Sequence, residues 1–570
     1  MISRRDFIQV AAAAALLTGA SGRLSRTAAA QRLSQGDLLR FPAKGQLTLL
    51  HMADLHAQLK PVYFREPSVN LGVGEAKGRL PHLTDRELLA ALGLEAGSLD
   101  AYMLSSADYE AMAREYGRVG GMDRIASLVR AIRAERGEDK VLLLDGGDAL
   151  QGSYTSLVSR GADMVSVLKA LGVAATTGHW EFTLGATRIA ELFGTVAREG
   201  ASGLTFLANN VRDNDLDEPV FHGAAYHEVG GVKVAVIGQA FPYTPIANPR
   251  WMIASWSFGI RERDMRAAVA HARRNGARVV VLLSHNGFDV DRKMARRVAG
   301  IDVILTAHTH DALPAPERVG DTLLVASGSH GKFLSRLDLE VRGGRVVDHA
   351  YRLIPVLADA IAPDPDMARL VEEIRAPHAG LLETEVARTE GLLYRRGTFG
   401  GSLDDLICDA ILAQRDAEIV FSPGFRWGAS LVPGQAITWD DIYNATAITY
   451  PAVYRRPMTG AAIKAVLEDV ADNIFNPDPY YQQGGDMVRV GGLGYTINVD
   501  AAMGQRITAL THLATAKPIE ADRTYIVAGW ASVSETTKGP PVWELVAEHL
   551  RSRHVLTPQP RQPVKVVRAG

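Results

Sequence analysis

Cysteine is almost missing from this 570-residue chain, with Cys408 its only example. An intrachain disulfide is therefore excluded, so in an oxidising compartment the protein must hold together by its cores or by bound metal. Cys408 lies in the apolar run LDDLICDAIL at helical spacing with Leu403, Leu406 and Ile411, the pattern of a packing residue rather than a reactive thiol. Aromatic residues are scarce at 7%. Surplus positive charge is absent too: 62 Lys and Arg face 64 Asp and Glu, a formal net charge of −2, and composition implies no nucleic-acid partner. Beyond the N-terminus no internal repeat, low-complexity segment or membrane-spanning run is evident. Apolar residues, by contrast, make up 47% of the chain, enough to bury large cores in two or more domains.

The first thirty residues have a different texture. Ser3-Arg4-Arg5-Asp6-Phe7-Ile8 precedes an uncharged, Ala-rich run from Val10 to Ala20, and Ala28-Ala29-Ala30 follows. This resembles a twin-arginine export signal cleaved near residue 30. The competing reading, an N-terminal helix or anchor, has a run too short to span a bilayer comfortably. Cleavage would remove four Arg and one Asp, leaving 58 basic and 63 acidic residues, a net charge of −5. The expected location is the periplasm, without membrane association after export.

From Leu47 onward, apolar runs that end in polar loops alternate with amphipathic segments such as Met122 to Glu135 and Asp264 to Asn275. The run LTLLHM ends in Asp54-Leu55-His56, and Val141 to Leu144 ends in Asp145-Gly-Gly-Asp148. Thr205 to Leu207 ends in Ala-Asn-Asn210, and Val232 to Ile237 in Gly238. Val279 to Leu283 ends in Ser284-His285-Asn286, Val303 to Leu305 in Thr306-Ala-His308-Thr-His310, and Leu323 to Val325 in Ala-Ser-Gly-Ser-His330. Such a repeat argues an α/β layered domain with its site on the loops at the strand ends. A polar stretch between Lys60 and Gly120 is too long for a linker and reads as an insertion bordering the site. Around Pro363-Asp364-Pro365-Asp366 a linker helix is expected, with Asp366 as its N-cap. A second domain follows, with helices near 403–412 and 461–470 and strands near 418–421, 494–499 and 524–528.

Collected from the loops, Asp54, His56, Asp148, His179, His285, His308 and His310 form a set of hard and borderline donors suited to two divalent ions sharing one carboxylate. The motifs DLH, GGD, SHN and AHTH, in this order and spacing, resemble the dinuclear metallophosphoesterases of the 5'-nucleotidase group over about residues 46 to 565. That resemblance extends to SPGFRWG at 422–428 and MTGAAIKAVLE at 458–468. It implies an N-terminal four-layer metallophosphoesterase-like β-sandwich flanked by helices at 45–357, with the insertion at about 60–120. A linker helix at 358–389 and an α+β 5'-nucleotidase-like substrate domain at 390–565 complete the expected α/β chain. It also implies that Asp54, His56, Asp148 and His310 hold one metal, with Asp148 bridging to a second held by His285, His308 and the residue at the family's Gly-Asn-His-Glu position.

At that position the chain reads Gly178-His179-Trp180-Glu181-Phe182-Thr183. His179 replaces the ligand Asn, Trp180 the catalytic His, and Thr183 the Asp that pairs with it. His179 is thus expected as a ligand, with the slipped register that makes it the acid as the alternative. The GHWEFT variant, the export signal and the early insertion are similar to the SoxB-type thiosulfohydrolases. Membership in that family implies two manganese ions and release of sulfate from cysteine S-thiosulfonate on a C-terminal arm of the sulfur-carrier protein SoxYZ. Asp148, His179 and Arg426 form the expected catalytic set, with Arg426 in SPGFRWG either facing an anionic substrate or standing in a surface turn. Asn286 and Asp311 are expected to steady the metal histidines, His330 to be secondary, Trp180 to pack in the core, and RVGGLG at 489–494 to make a turn or admit a peptide. A periplasmic 5'-nucleotidase or nucleotide-sugar hydrolase, and a non-catalytic metal-binding protein, are the alternatives.

Overall fold

Two mixed six-stranded sheets frame the N-terminal half of the computed structural model, which describes residues 33–558, 561 and 563–568. The export-signal motif lies outside the described residues. In the first sheet β1 (Leu47–Met52), β2 (Val141–Asp145), β3 (Ala175–Thr176) and β4 (Thr205–Phe206) run parallel. In the second, β6 (Val232–Gln239) pairs antiparallel with β5 (Ala224–Val229) and parallel with β7 (Val279–Ser284), which continues through β8 (Val303–Thr306) to β10 (Thr322–Ala326). β9 (Glu317–Val319) closes that sheet. β11 (Phe333–Arg342) and β12 (Arg345–Pro355) extend the first sheet antiparallel beside β1.

Every residue of β1, β2, β7, β8 and β10 is buried. Parallel strands covered on both faces need side chains that avoid water on both sides, hence the continuous runs VLLLD and VVVLLS. Each Leu, Ile or Val so buried contributes about 1.5–3 kcal/mol. The expected β-sandwich with flanking helices is the fold observed, and its sheets bring the C-terminal ends of β1, β2, β7 and β8 together.

Contacts divide the chain into two units. The first takes the chain up to Val62, Arg86–Gln151 and Val158–Pro377; the second takes Tyr63–Asp85, Gly152–Leu157 and the chain from His378 onward. The expected insertion is therefore split between them. Its first-unit part carries all but the first residue of the helix Asp85–Leu92 and the helices Leu99–Leu104 and Tyr109–Tyr116, and returns through Val119, which bridges Val62. The expected linker contains the helix Pro365–Arg375, whose N-cap is Asp364 and not Asp366: the Asp364 carboxylate accepts from Asp366 N and Met367 N, while Pro365 takes the first helical position.

The second unit is α+β. Strands Tyr454–Thr459, Thr524–Gly529, Ile419–Ser422 and Arg489–Gly491 make one four-stranded sheet, packed by the helices Ser402–Arg415 and Gly460–Ile474. Cys408 is buried on the first of these, where Gly491 leaves no room for a side chain: a Cβ there would stand 2.9 Å from Cys408 Cβ. RVGGLG, expected as a turn or a peptide-admitting loop, is instead the end of the strand Arg489–Gly491 and the start of the strand Leu493–Asn498, with the single residue Gly492, at φ +69°, between them.

Candidate dinuclear metal centre

Five of the seven expected ligands sit in left-handed backbone. Asp54, His56, Asp148, His308 and His310 have φ of 50°, 46°, 55°, 76° and 60°. That region costs an L-residue about 1–2 kcal/mol, and such strain persists only where the surroundings over-determine it. The surroundings here are hydrogen bonds between strand ends: Asp54 N donates to Gly147 O at 2.9 Å and His56 N to Asp148 O at 2.8 Å, while His308 N donates to the Asp54 carboxylate Oδ1 at 3.0 Å. The double glycine of Asp145-Gly-Gly-Asp148 permits this approach. A Cβ at Gly146 would lie 2.7 Å from Ala53 Cβ and 2.8 Å from Ala307 Cβ, and one at Gly147 would lie 2.8 Å from Thr177 O.

All seven side chains converge, and all are buried. Asp54, His56, Asp148 and His310 form one group, and Asp148, His179, His285 and His308 a second; within each group the donor atoms lie within 4.8 Å of one another. Asp148 is common to both. Its Oδ2 faces His285 Nε2 at 3.1 Å and His179 Nδ1 at 3.5 Å, while Oδ1 accepts from Trp180 N at 2.7 Å.

The donors fit divalent cations. His56 Nε2 and His310 Nε2 meet at 3.0 Å, a nose-to-nose arrangement that a shared cation would satisfy better than a shared proton. Both ring nitrogens of His179 are buried without a hydrogen bond. His285 Nδ1 is held by Gly146 O at 2.6 Å and His56 Nδ1 by Gln151 O at 3.2 Å, which turns Nε2 of each ring inward.

Burial pushes the His56 imidazole down to about 4 and lowers that of His179, so both are neutral and ready to ligate. Burial also opposes charge on His285, but the Asp148 and Asp54 carboxylates override it and hold its proton up to about 10. Asp148 stays ionised, well below the usual carboxylate range, because the His285 and His179 imidazoles outweigh burial. Burial raises Asp54. A pocket that holds a proton this firmly is one that attracts cations.

Three supporting residues carried no metal-ligand signal in the sequence. Glu181 accepts from Ala149 N (2.8 Å) and Leu150 N (3.3 Å) through Oε1 and from His179 N (2.9 Å) through Oε2, tying the Asp148 loop to the His179 loop. It stands in plain sight in GHWEFT, but as a backbone acceptor rather than a ligand. Asp291, on the helix Phe288–Arg297, accepts from Ser284 Oγ at 2.8 Å, Asn286 Nδ2 at 2.8 Å and Thr306 Oγ1 at 2.5 Å. Asn286 thus serves Asp291 and not an imidazole, a correction to its expected role. Phe241 is apolar and gave no signal at all.

Asp291→Ala would leave three buried donors without their acceptor, each costing about 1–3 kcal/mol. The expected result is a loss of at least about 3 kcal/mol in denaturant unfolding, with both metal-bearing loops loosened. A midpoint within error of wild type would refute the role.

The remaining expected residues fall as follows. His330 lies beside the first group, its ring 5.3 Å from His56 and 5.8 Å from His310, its Nδ1 2.9 Å from Ser329 Oγ, and belongs to neither ligand group. Trp180 is buried with its ring 4.8 Å from His179. Asp311 gives its backbone carbonyl to Gly328 N. Arg426 is no surface arginine: in the second unit it donates to Asp486 Oδ1 at 3.1 Å and Gly485 O at 2.6 Å, its side chain 14% exposed.

The 5'-nucleotidase C-terminal domain model matches residues 385–542. The snake venom 5'-nucleotidase of Gloydius brevicauda is 24% identical over 495 residues, covering 76% of this chain and 81% of that protein. Bovine 5'-nucleotidase is 24% identical over 460 residues, 72% and 76% of the two chains. Among solved structures, the 5'-nucleotidase precursor of Thermus thermophilus superposes with a TM-score of 0.71 at 21% identity, over 91% of this chain and 99% of that one, a likeness of fold. The sulfate thiohydrolase SoxB of Thermus thermophilus superposes with a TM-score of 0.87 at 39% identity, over 92% of this chain and 97% of that one. With a likeness of that extent, on a 5'-nucleotidase fold whose strand ends carry two candidate metal sites, the chain belongs to the SoxB sulfate thiohydrolase family.

Proposed function

We propose that the chain is an exported dimanganese hydrolase that releases sulfate from cysteine S-thiosulfonate on the C-terminal arm of a sulfur-carrier protein, SoxYZ, in thiosulfate oxidation. The supporting observation is a full ligand set beside a missing acid. Trp180 fills the acid position of the nucleotidase pattern, its backbone N–H donating to Asp148 Oδ1. Thr183, in place of the partner Asp, donates its hydroxyl to Trp180 O at 2.7 Å.

Two divalent ions held by these residues would supply an acidified water and neutralise sulfonate oxygens. The chain's own part is to fix their ligands. Asp148 spans both groups, Gly146 O and Gln151 O set the tautomers of His285 and His56, and the buried walls exclude bulk water. In the hydrolysis, the water oxygen forms an S–O bond to the sulfonate sulfur. The S–S bond breaks, its electron pair leaves with the carrier persulfide, and sulfate departs. A persulfide has a far lower pKa than an alkoxide, so loss of the general acid costs this reaction little. Arg426 carries the guanidinium type suited to a sulfonate, and its Nε and Nη2 are engaged by Asp486 Oδ1 and Gly485 O within the second unit. Asp and His donors accept Mn, Zn, Fe or Co; manganese follows from the family resemblance. Among the described residues no helix is long and apolar enough to cross a membrane, and export rests on the resemblance of Ser3 to Ala30 to a twin-arginine signal.

The test is to incubate the manganese-loaded protein with AMP and, separately, with a carrier peptide bearing cysteine S-thiosulfonate, and to assay phosphate and sulfate. Sulfate from the peptide is expected. Phosphate alone would make the chain a nucleotidase, and neither product would leave a non-catalytic metal protein.

A further inference from the structure

In each ligand group one histidine is oriented by a backbone carbonyl. In the first, His56 and His310 lie beside each other with ring centroids 4.9 Å apart, and His56 is oriented by Gln151 O. In the second, His285 is oriented by Gly146 O, but neither ring nitrogen of His179 makes a hydrogen bond. Asn248 donates to His179 O at 3.3 Å. Two aromatic rings meet the His179 imidazole, Trp180 at 4.8 Å and, closer, Phe241, its centroid 4.1 Å away at a 42° tilt. The same phenyl ring lies 4.2 Å from His308 at 31°. It is wedged against two imidazoles that are themselves 5.1 Å apart and nearly perpendicular.

Phe241 is fixed enough to act as a wall. It stands two residues past the end of β6 and is fully buried. Its N–H donates to Gly178 O at 3.0 Å, one residue before His179, and its carbonyl accepts from Thr244 Oγ1 at 2.7 Å. Before it, Ala240 is clamped by Asn210, whose Oδ1 accepts from Ala240 N at 2.9 Å and whose Nδ2 donates to Ala240 O at 2.8 Å.

We infer that Phe241 is a positioning residue for one metal position alone: it sets the rings of His179 and His308 by packing against both. A mis-set ligand ring weakens one ion, while the position made by Asp54, His56, Asp148 and His310 keeps its supports. The inference rests on the two-metal reading and can fail separately from it.

The experiment titrates Mn2+ calorimetrically into metal-stripped wild type, Phe241→Leu and Phe221→Leu, with bound manganese counted by elemental analysis after desalting. Phe221 is a buried ring of the neighbouring core cluster, packed on Phe182, Phe206 and Trp256. Wild type is expected to bind two ions. Phe241→Leu should weaken one of them about 10- to 100-fold, the scale of lost ligand support, and retain one ion per chain after desalting. Phe221→Leu should keep both. Two ions at wild-type affinity in a folded Phe241→Leu protein, equal weakening of both, or the same loss in Phe221→Leu would each overturn the inference. Should Phe241→Leu fail to fold, Phe241→Tyr, which keeps the ring, must restore both ions, and its failure to do so overturns the inference too. Wild type binding fewer than two ions would instead sink the two-metal reading itself.

Discussion

Asp148→Ala is expected to abolish turnover and to leave neither manganese ion bound after desalting. Asp148 is the one residue in both ligand groups, so its loss removes a donor from each, together with the negative charge between them. Removing a mere supporting group typically costs 10–100-fold in metal affinity, and a bridging ligand must cost each ion more than that. Two-metal activation of water supplies several kcal/mol of catalysis, and each 1.36 kcal/mol is tenfold in rate, so a fall in kcat/KM of about 10³- to 10⁵-fold is expected. The fold should survive: without Asp148 the His285 ring still faces Asp54 Oδ1 at 3.8 Å, so no isolated buried charge is created. Asp148→Asn separates charge from shape, since its amide oxygen can still accept from Trp180 N. If Asp148→Asn kept both ions at wild-type affinity, the bridging role would be wrong. Elemental analysis, a manganese isotherm and a thermal scan of each variant decide the matter.

The metal centre was legible because its ligands stand at the ends of apolar runs, where a continuous hydrophobic stretch stops at a polar residue. Asp54, His56, Asp148, His285, His308 and His310 all carry that signal, and His179 was found through the resemblance of its hexapeptide. The long hairpin β11–β12 was not legible, for a physical reason. β11 carries Arg336 and Asp338 in its buried stretch, and these charges break the apolar run that marks a strand. They are tolerated because Arg336 donates to Glu135 and Asp338, and Asp338 accepts from Thr48 Oγ1. Only the turn Gly343-Gly344, both glycines at positive φ, hinted at a hairpin. The split of the insertion between two units was hidden as well, since it depends on long-range pairs such as Tyr63 with Ser430. Phe241 and Asp291 were invisible because each acts through another residue. No spacing rule marks a phenyl ring that holds an imidazole, or a carboxylate that holds two loops.

Arg489→Met is expected to lower stability by about 3–5 kcal/mol, the cost of removing one partner from a buried ionic network. Arg489, on the strand Arg489–Gly491, is 1% exposed. It lies between two carboxylates, with Nη2 2.9 Å from Asp486 Oδ2 and Nε 3.1 Å from Asp404 Oδ2, and it donates to Thr398 O at 3.0 Å. Arg395 takes the other oxygen of Asp404 at 2.8 Å and Arg426 that of Asp486 at 3.1 Å, so guanidinium and carboxylate alternate along a buried chain. Methionine matches the volume of the arginine stem but leaves each carboxylate one cation short. At about 2–4 °C per kcal/mol for a unit of this size, the midpoint should fall by roughly 10 °C at pH 7. The pH dependence follows from Asp486. Burial raises its pKa, but Arg426, Arg489 and Arg396 override burial and hold it below the usual 3.8. A depressed folded-state pKa stabilises the fold above the unfolded value, and that stability is lost as pH falls through the folded one. The gap between wild type and Arg489→Met should therefore be complete at neutral pH and close as the solution is acidified below about 4. Arg489→Lys, a point charge without the fork, should recover only part of the loss. An Arg489→Met midpoint within 2 °C of wild type at pH 7, roughly 1 kcal/mol at most, would show that the second unit does not depend on this network.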